Sequence, residues 1–351
     1  MAKQVVIAGA GFAGLSTALK LAAKDFDVKL IDQKSFHLFK PGLVPLLSNS
    51  ISEDKIKLDL NSFLKGTGVE FSREKILGID SEREVVETNS GAHNYDYLVL
   101  ALGSEANSHG LDIEAAHMGY GLSQVKKLKD ELEDAEKVSV VGAGHTGVEI
   151  ASEISKTGKK TTVISTSTRP TPGSDFKVSE KVLENFNSKD ISFRGGTWVK
   201  NVEEDRLETG EGQKIEHDLV VWAGGIQAAE VIRESLDVGA EGLPVNPGLC
   251  SKKHENVFAA GDSADHGALK TARNAWEQAE TVAENIAKKE TEALEHFDKK
   301  DTPIVISLGE TAILENNGKI YSSKLIRYLE TVIRLRYFYS LKLQRLKLKL
   351  M

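Results

Sequence analysis

The chain has 351 residues, more than a single domain usually holds. Its 40% hydrophobic and 28% charged residues are ordinary for a soluble globular protein. The single cysteine, Cys250, excludes an intramolecular disulfide and suits a reducing cytoplasm. No run approaches the ~20 apolar residues of a membrane-spanning helix, and we expect neither a metal site nor a nucleic-acid partner.

Charge is distributed unevenly along the chain. The net charge is −7, but the segment from Ser323 to the end carries +7 and the preceding part carries −14. Only one acid, Glu330, stands among the eight bases of this segment: Lys324, Arg327, Arg334, Arg336, Lys342, Arg345, Lys347 and Lys349. Such polarity between segments indicates a partner for the tail.

The first thirty residues carry the strongest pattern in the chain. The β-branched run Val5–Ala8 predicts a buried strand, and Gly9–Gly14 follows with the spacing G-x-G-x-x-G. Apolar residues at helical spacing come next, and a second strand over Val28–Ile31 ends on Asp32. Strand, glycine turn, helix, strand and acid in this order predict a dinucleotide-binding fold.

Each part of this pattern has a physical reason. Gly9 permits a tight turn, Gly11 has no Cβ to keep a pyrophosphate from the backbone, and Gly14 lets the helix pack closely on the sheet. The helix N-terminus offers free N–H groups to the phosphates, and Asp32 can accept hydrogen bonds from a ribose diol. The pattern alone leaves open which dinucleotide binds.

The segment between residues 33 and 104 is expected to leave the first sheet and return to it. Residues 36–45 predict a loop that enters a helix before Phe63, and residues 95–102 predict a buried strand that ends in a glycine turn. Three short strands are expected to form a small antiparallel insertion: 69–71, 75–79 and 84–88.

The first pattern then repeats. A strand over 137–141 precedes Gly142–Gly147, a second G-x-G-x-x-G, and a helix and a strand over 161–164 follow. In both copies, eighteen positions separate the last glycine from the residue that ends the second strand, which places Ser165 where the first copy has Asp32. Two motifs at one spacing predict two dinucleotide folds of the same build.

The rest of the chain alternates between short strands and helices. In chain order the sequence first predicts a helix over 178–188, several short strands within 191–222, and a strand over 219–222 that ends in glycine. A strand over 256–260 that ends in Gly261-Asp262 and a helix over 269–288 are expected next. Two or three strands over 302–321, with a turn at Asn317-Gly318, and a helix over 324–350 complete the chain. The last helix has a partial apolar face: Leu325, Leu329, Val332, Ile333, Tyr337 and Leu341.

The sequence now resembles the two-dinucleotide-fold flavoprotein superfamily, which is related to the disulfide reductases. The resemblance rests on four stretches in a fixed order: 9–14, 98–104, 142–147 and 257–262. It implies an α/β fold of two Rossmann-like domains, with Asp262 on the ribityl chain of the flavin. The implied domains are 1–105 with 227–295 for FAD, 106–226 inserted for NAD(P)H, and 296–351 for a C-terminal strand and helix extension.

Within the superfamily the chain resembles the type II NADH dehydrogenases, which are single-chain NADH:quinone oxidoreductases. Disulfide reductases and sulfide:quinone oxidoreductases work through cysteine pairs, which this chain lacks. The stretches that carry the resemblance are 36–41, 142–154, 221–226 and 271–279. It implies hydride transfer from NADH or NADPH to FAD and electron transfer to a quinone, without proton pumping.

The resemblance also implies site residues. As catalytic residues we expect Lys40 near the flavin, Glu149 near the nicotinamide, and Glu277 and Gln278 near a quinone that stacks on Trp276. The expected cofactor-binding residues are Gly9, Gly11, Phe12, Ala13, Gly14, Asp32, Lys40, Ile76, Gly103, Gly142, Gly144, Thr146, Gly147, Glu149, Ser165, Arg169, Gly224, Gly225, Gly261, Asp262, Thr271 and Ala272. The rival interpretations are that Lys40 is a plain surface lysine and that Glu149 is an exposed helix acid. For Glu277 and Gln278, the rival interpretation is that their helix only packs on the FAD domain.

The coenzyme is left open between NADH and NADPH. Ser165 stands where an acid would hold an unphosphorylated ribose, so no carboxylate at this position repels a 2′-phosphate. Arg169 is the expected partner of that phosphate. A solvent-exposed loop that is indifferent to the coenzyme is the alternative.

The tail predicts a peripheral enzyme on the inner face of the cell membrane. Basic amphipathic helices lie at anionic membrane surfaces, and a lipid-soluble quinone requires such docking. Packing on the acidic body or in a homodimer interface is the alternative for this helix. The alternatives for the function are a soluble reductase of a ferredoxin or rubredoxin, a sulfide:quinone oxidoreductase homologue without the cysteines, and an NAD(P)H-sensing flavoprotein with little turnover.

Overall fold

The structure, a computed structural model, describes residues 2–288, 294–298 and 303–351. Its strands are β1 (Lys3–Ala8), β2 (Phe26–Asp32), β3 (Phe36–Leu38), β4 (Lys57–Asp59), β5 (Val69–Arg73), β6 (Ile76–Asp80), β7 (Val85–Thr88), β8 (Gly91–Asn94), β9 (Tyr97–Leu100), β10 (Ser104–Ala106), β11 (His117–Met118), β12 (Lys137–Val141), β13 (Lys160–Ile164), β14 (Ser192–Arg194), β15 (Val199–Val202), β16 (Arg206–Thr209), β17 (Lys214–Glu216), β18 (Leu219–Trp222), β19 (Ile226–Ala228), β20 (Leu243–Pro244), β21 (Val257–Ala259), β22 (Ala264–Asp265), β23 (Ile304–Leu308), β24 (Thr311–Asn316) and β25 (Lys319–Ser323). Its helices are α1 (Phe12–Leu21), α2 (Leu43–Leu46), α3 (Leu60–Leu64), α4 (Leu122–Glu131), α5 (His145–Ser155), α6 (Phe176–Ser188), α7 (Glu230–Leu236), α8 (Ala272–Lys288) and α9 (Lys324–Leu350).

The first sheet is parallel throughout, in the order β21-β9-β1-β2-β5. Strand β9 is buried along its whole length and β1 along most of it, which is why both appear in the sequence as nearly unbroken apolar runs. Helix α1 follows β1 and packs against α8. The early and late parts of the chain therefore meet over the glycine turn between β1 and α1.

The second sheet has the same build, in the order β11-β18-β12-β13-β14. The two copies match at the level of single hydrogen bonds. The N–H of Gly9 donates to the carbonyl of Ile31 at 2.7 Å, and the N–H of Gly142 donates to the carbonyl of Ile164 at 2.8 Å. The prediction of two Rossmann-like folds is confirmed.

One strand of the segment 33–104 was assigned to the wrong sheet. Val69–Arg73 pairs in parallel with β2 at the edge of the first sheet and is not part of the antiparallel insertion. The insertion consists of β6, β7 and β8. Strand β8 was not expected because its residues, Gly91–Asn94, are polar or small and mostly exposed, so they show no apolar alternation.

A two-stranded ribbon connects the two folds. Strands β10 and β19 pair antiparallel, with Ser104 opposite Ala228 and Ala106 opposite Ile226. The chain therefore passes from the first fold to the second and back at adjacent positions. The predicted domain boundaries at 105 and 227 lie within this ribbon and stay predictions.

The C-terminal extension is a small antiparallel sheet followed by one long helix. Strands β24 and β25 are joined at Asn317-Gly318, both with positive φ, as the turn prediction requires. Residue 302, the expected start of the first strand, lies outside the described residues. Helix α9 packs against both β24 and α1, so it contacts elements from both ends of the chain. None of the described helices combines the length and apolar character needed to span a membrane.

We expect Gly14→Ala to destabilise the protein, because a Cβ at this position would overlap the carbonyl oxygen of Gly9. Overpacking of this kind costs about 1–3 kcal/mol, which denaturant unfolding measures. Gly173→Ala is the matched control, since a Cβ at Gly173 meets no atom within 4 Å. Equal free energies of unfolding for the two variants would contradict the close approach of α1 to the glycine turn.

Candidate active site

The first glycine turn is open on the side where a ligand would lie. The carboxylate of Asp32 accepts hydrogen bonds from the N–H groups of Ala10 and Lys34, both at 2.8 Å. A Cβ on Gly11 would have a single neighbour within 4 Å, at 3.9 Å. Free space beside Gly11 and a carboxylate held at the edge of the turn fit the pyrophosphate and ribose of a dinucleotide.

The strands that end in Gly103 and Gly261 meet beside this turn. Ser104 Oγ donates to Asp262 Oδ2 at 2.7 Å, and the N–H of Gly103 donates to Ser263 Oγ at 3.0 Å. These bonds join the two stretches that the sequence assigned to the flavin. Ser104 and Ser263 were not among the predicted site residues, although each directly follows a predicted one.

Lys40 reaches the same cleft. Its Nζ lies 3.6 Å from the position that a Cβ of Gly103 would take. The side chain contacts solvent at the mouth of the cleft, but surrounding protein atoms partly exclude water and lower its pKa, while the carboxylates of Asp262 and Asp32 act against this shift. A cation in such a cleft is suited to stabilise negative charge on a bound flavin.

Gln278 has a different role from the expected one. It is fully buried: its Oε1 accepts the N–H of Gly261 at 2.6 Å, and its amide nitrogen contacts His266 at 2.6 Å. The side chain therefore holds the Gly261 turn and is not free to reach a quinone. At the beginning of α8, Thr271 Oγ1 accepts the N–H of Asn274 at 3.1 Å and so caps the helix, whereas its expected cofactor contact stays a prediction.

The two side chains before Gln278 point away from it. Glu277 pairs with Arg273 at 2.8 Å on the surface, where Arg273 is half exposed. Trp276 packs edge-on against Tyr337 of α9, with ring centroids 5.6 Å apart. The expected quinone contacts of Glu277 and Trp276 stay predictions, and Trp276 already has an aromatic neighbour.

The second glycine turn repeats the features of the first. A Cβ on Gly144 would meet no atom within 4 Å, so this turn also has free space at its middle glycine. The carbonyl of Ala143 accepts the N–H of Thr171 at 2.7 Å, and His109 Nε2 contacts the carbonyl of Gly224 at 2.8 Å. The expected cofactor contacts of the following residues stay predictions: Phe12, Ala13, Ile76, Thr146, Gly147, Gly225 and Ala272.

Glu149 faces the C-terminal extension. Its Oε1 accepts the N–H of Ser307 in β23 at 3.1 Å. Burial raises the pKa of Glu149 to about 8, and the nearby carboxylates of Glu330 and Glu153 add to this shift. Burial also raises the pKa of Glu330, on α9, to about 7. Two carboxyl groups from distant parts of the chain, both with raised pKa values, therefore lie beside the second fold.

Glu153 keeps its charge paired and joins three segments. It is fully buried and accepts a hydrogen bond from Ser48 Oγ in the loop after α2. Lys156 Nζ lies 3.0 Å from it, and Arg327 of α9 lies 3.5 Å from it. A buried carboxylate needs such partners to offset its lost hydration, so these contacts fix α9 against both folds.

The loop after β13 uses its arginine internally. The guanidinium of Arg169 donates to Ser179 Oγ at 2.6 Å and to the carbonyls of Pro172 and Ser174 at 2.8 and 3.0 Å. Arg169 therefore shapes its own loop, which differs from its expected role as the partner of a 2′-phosphate. Ser165 directly follows β13, in the position that corresponds to Asp32.

Comparisons with known proteins agree with this geometry. Residues 3–279 match the family described as pyridine nucleotide-disulphide oxidoreductase. The chain belongs to this family. It is 26% identical to the type II NADH:quinone oxidoreductase of Staphylococcus aureus over 353 aligned residues, which cover 88% of each protein.

Solved structures show the same fold over nearly the whole chain. NDH2 from Plasmodium falciparum, in complex with NADH, superposes with a TM-score of 0.88 at 16% identity and covers 100% of this chain and 98% of its own. The sulfide:quinone oxidoreductase of Aquifex aeolicus superposes with a TM-score of 0.82 at 21% identity and covers 98% and 92%. The predicted fold class and the resemblance to type II NADH dehydrogenases are confirmed. The chain is an oxidoreductase with FAD as its cofactor and a nicotinamide nucleotide as co-substrate.

We expect the free energy of unfolding to fall as pH rises, and Glu149→Gln to reduce this fall. The folded pKa of about 8 lies above the ordinary value of 4.5, so stability from this group is fully present below pH ~4.5 and lost as pH rises through ~8. Between pH 5 and pH 8.5, denaturant unfolding should show that wild type loses about 3–4 kcal/mol more unfolding free energy than Glu149→Gln, since each pH unit between the two pKa values contributes about 1.4 kcal/mol. Glu211→Gln, at an exposed acid, is the control. The same pH dependence in wild type and Glu149→Gln would contradict a raised pKa at Glu149.

Proposed function

We propose that the chain is an FAD-dependent NAD(P)H:quinone oxidoreductase that does not pump protons and that docks on the inner face of the cell membrane. The observation that carries the proposal is the exposed apolar face of α9, because a lipid-soluble acceptor calls for an enzyme that lies on the lipid. The two open glycine turns, the cleft at Lys40 and the missing cysteine pair support the redox part.

The apolar face of α9 is continuous. Eight apolar side chains, here called the apolar stripe, recur every three or four positions and are each at least 41% exposed: Leu325, Tyr328, Val332, Leu335, Tyr339, Leu343, Leu346 and Leu350. At 3.6 residues per turn they occupy about a quarter of the helix circumference. Proteins that stay in water rarely expose a continuous apolar surface of this kind.

Exposed bases border the apolar stripe on both sides. Lys324, Lys342 and Lys349 fall on one side at helical spacing, and Arg336 and Lys347 fall on the other. Bases in these positions reach anionic headgroups while an apolar face enters the acyl boundary. This arrangement favours an anionic membrane surface over an apolar protein partner.

The opposite face of α9 belongs to the body. Tyr337 and Leu341 are buried, so the expectation that they share one face with Leu325 and Val332 was wrong. The buried Arg334 donates to the carbonyl of Lys55 at 3.2 Å. Packing on the body therefore accounts for one face of this helix, and the proposal assigns only the apolar stripe to the membrane.

The chemistry follows from the cofactors and from how the chain holds them. Bound FAD supplies the acceptor for the hydride of the nicotinamide and the donor for the quinone. With FAD bound, Asp32 would accept hydrogen bonds from the ribose hydroxyls and Asp262 from the ribityl hydroxyls, and Lys40 would balance the negative charge of the reduced flavin. Quinone is also the acceptor named for the relatives from Staphylococcus aureus and Aquifex aeolicus, and without a cysteine pair this chain has no dithiol to reduce.

The purified flavoprotein should lose its flavin absorbance when mixed with NADH or NADPH and recover it when a short-chain quinone is added. Stopped-flow absorbance with each nucleotide in turn measures both half-reactions and decides the preferred coenzyme. A flavin that neither nucleotide reduces would contradict the proposal. Reoxidation by a ferredoxin or rubredoxin but not by the quinone would favour a protein acceptor.

Polar substitutions in the apolar stripe should weaken membrane binding. We expect the combined variant Val332→Asn, Leu335→Asn and Leu346→Asn to reduce cosedimentation with anionic vesicles about tenfold or more, since each change removes buried apolar contact with the acyl boundary. Leu77→Asn is the control, because Leu77 is 57% exposed on the body. Unchanged cosedimentation of the folded variant would contradict docking through this face. Truncation of α9 is a poorer test because it also removes the buried Tyr337.

A further inference from the structure

In both glycine turns, the carbonyl of the residue after the first glycine accepts a hydrogen bond from a group outside the turn. The kind of donor differs between the two turns. In the second fold the carbonyl of Ala143 accepts a backbone N–H, that of Thr171, at 2.7 Å. In the first fold the carbonyl of Ala10 accepts a side-chain donor, Nδ1 of His37, at 2.8 Å. The turn that faces FAD therefore depends on a side chain where its copy depends on the backbone.

His37 can hold this carbonyl in only one tautomer. Its Nδ1 must carry the proton to donate to a carbonyl, so the neutral ring leaves Nε2 as an acceptor. The hydroxyl of Tyr337, on α9, lies 3.0 Å from Nε2 and donates to it. Burial lowers the pKa of His37 to about 4, so the ring is neutral at physiological pH. Two hydrogen bonds in series thus connect α9 to the glycine turn.

These bonds lie inside an aromatic cluster. His37 is fully buried, and Tyr337 is 2% exposed. The Tyr337 ring lies 4.7 Å from Phe12, 5.8 Å from Phe39 and 5.6 Å from Phe338, measured between centroids. In an apolar and densely packed site, a polar atom without a hydrogen-bond partner costs free energy. The two hydrogen bonds therefore strongly favour this one arrangement of His37 and Tyr337.

The Ala10 carbonyl matters for FAD because it sets the direction of the next N–H. The peptide unit between Ala10 and Gly11 is planar and trans, so the N–H of Gly11 points away from the side that His37 holds. Gly11 is the open glycine of the turn that a pyrophosphate approaches. Asp32 already holds the preceding N–H, that of Ala10, at 2.8 Å. The turn is therefore fixed at both of its peptide units.

We propose that His37 and Tyr337 are positioning residues for FAD, through which the C-terminal helix holds the phosphate-binding turn in its FAD-binding conformation. The proposal rests on FAD as the cofactor and is independent of the electron acceptor. It gives α9 a second task besides its apolar stripe, because the body face of the helix determines how firmly FAD is retained.

Tyr337→Phe tests the proposal because it removes only the hydroxyl. We expect the dissociation constant and the release rate of FAD to rise about five- to tenfold, the effect of one buried hydrogen bond. The affinity for NAD⁺, which binds the second fold, should not change. Tyr339→Phe is the matched control, on the same helix but 64% exposed. Flavin fluorescence on release measures FAD, and calorimetric titration of the holoprotein measures NAD⁺.

Variants at His37 separate positioning from packing. Asn at position 37 keeps an N–H donor near the place of Nδ1 but offers no acceptor to Tyr337. We expect His37→Asn to bind FAD nearly as wild type and to be insensitive to a further Tyr337→Phe, whereas His37→Leu should bind it at least as weakly as Tyr337→Phe alone. If Tyr337→Phe fails to fold, the comparison of His37→Asn with His37→Leu still decides.

Two results would overturn the proposal. Equal FAD retention in wild type, Tyr337→Phe and Tyr339→Phe would show that the turn does not need the helix. Parallel losses of FAD and NAD⁺ affinity in Tyr337→Phe would show general loosening of the fold. Both differ from a failure of the proposed function, in which FAD binds normally but its electrons do not reach a quinone.

Discussion

The rest of this structure depends on how closely the helix of each glycine motif packs against the strand that precedes it. In both folds the last glycine of the motif lies against the carbonyl of the first, Gly14 on Gly9 and Gly147 on Gly142, where a Cβ would overlap. This approach brings the helix N-terminus and its unpaired N–H groups to the end of the central strand. Asp32, the Gly103 turn and the Gly261 turn then gather at the same edge of the sheet.

The C-terminal extension packs against both dinucleotide folds and connects them. Helix α9 places Arg327 on the buried Glu153, Glu330 near Glu149, and Tyr337 on His37. These contacts give Glu153 an ion pair, raise the pKa of Glu149, and give Nε2 of the buried His37 a hydrogen-bond donor. The helix whose charge indicates an outside partner therefore also completes the interior of the enzyme, as the alternative of packing on the acidic body requires.

Much of the fold could be predicted because the patterns that encode it are local. Glycine spacing, apolar runs and an acid at a fixed distance lie within thirty residues of one another, and so both dinucleotide folds and helix α9 were found at nearly their observed bounds. The site was predicted less well. The glycine turns fit their expected roles, but Gln278 is buried against the Gly261 turn, and Arg169 is bound by two carbonyls of its own loop and by Ser179 of α6.

The sequence by itself determined the two Rossmann-like folds, their order and the class of cofactors, because steric demands on glycine and strand periodicity act over short distances along the chain. Only the tertiary structure decided that Val69–Arg73 completes the first sheet, which face of α9 is buried, and that Tyr337 holds His37 from 300 positions away. Such pairings depend on which surfaces meet after folding. Apolar and aromatic residues cover more than one face of α9, so its periodicity does not distinguish the face that packs on the body from the face left exposed.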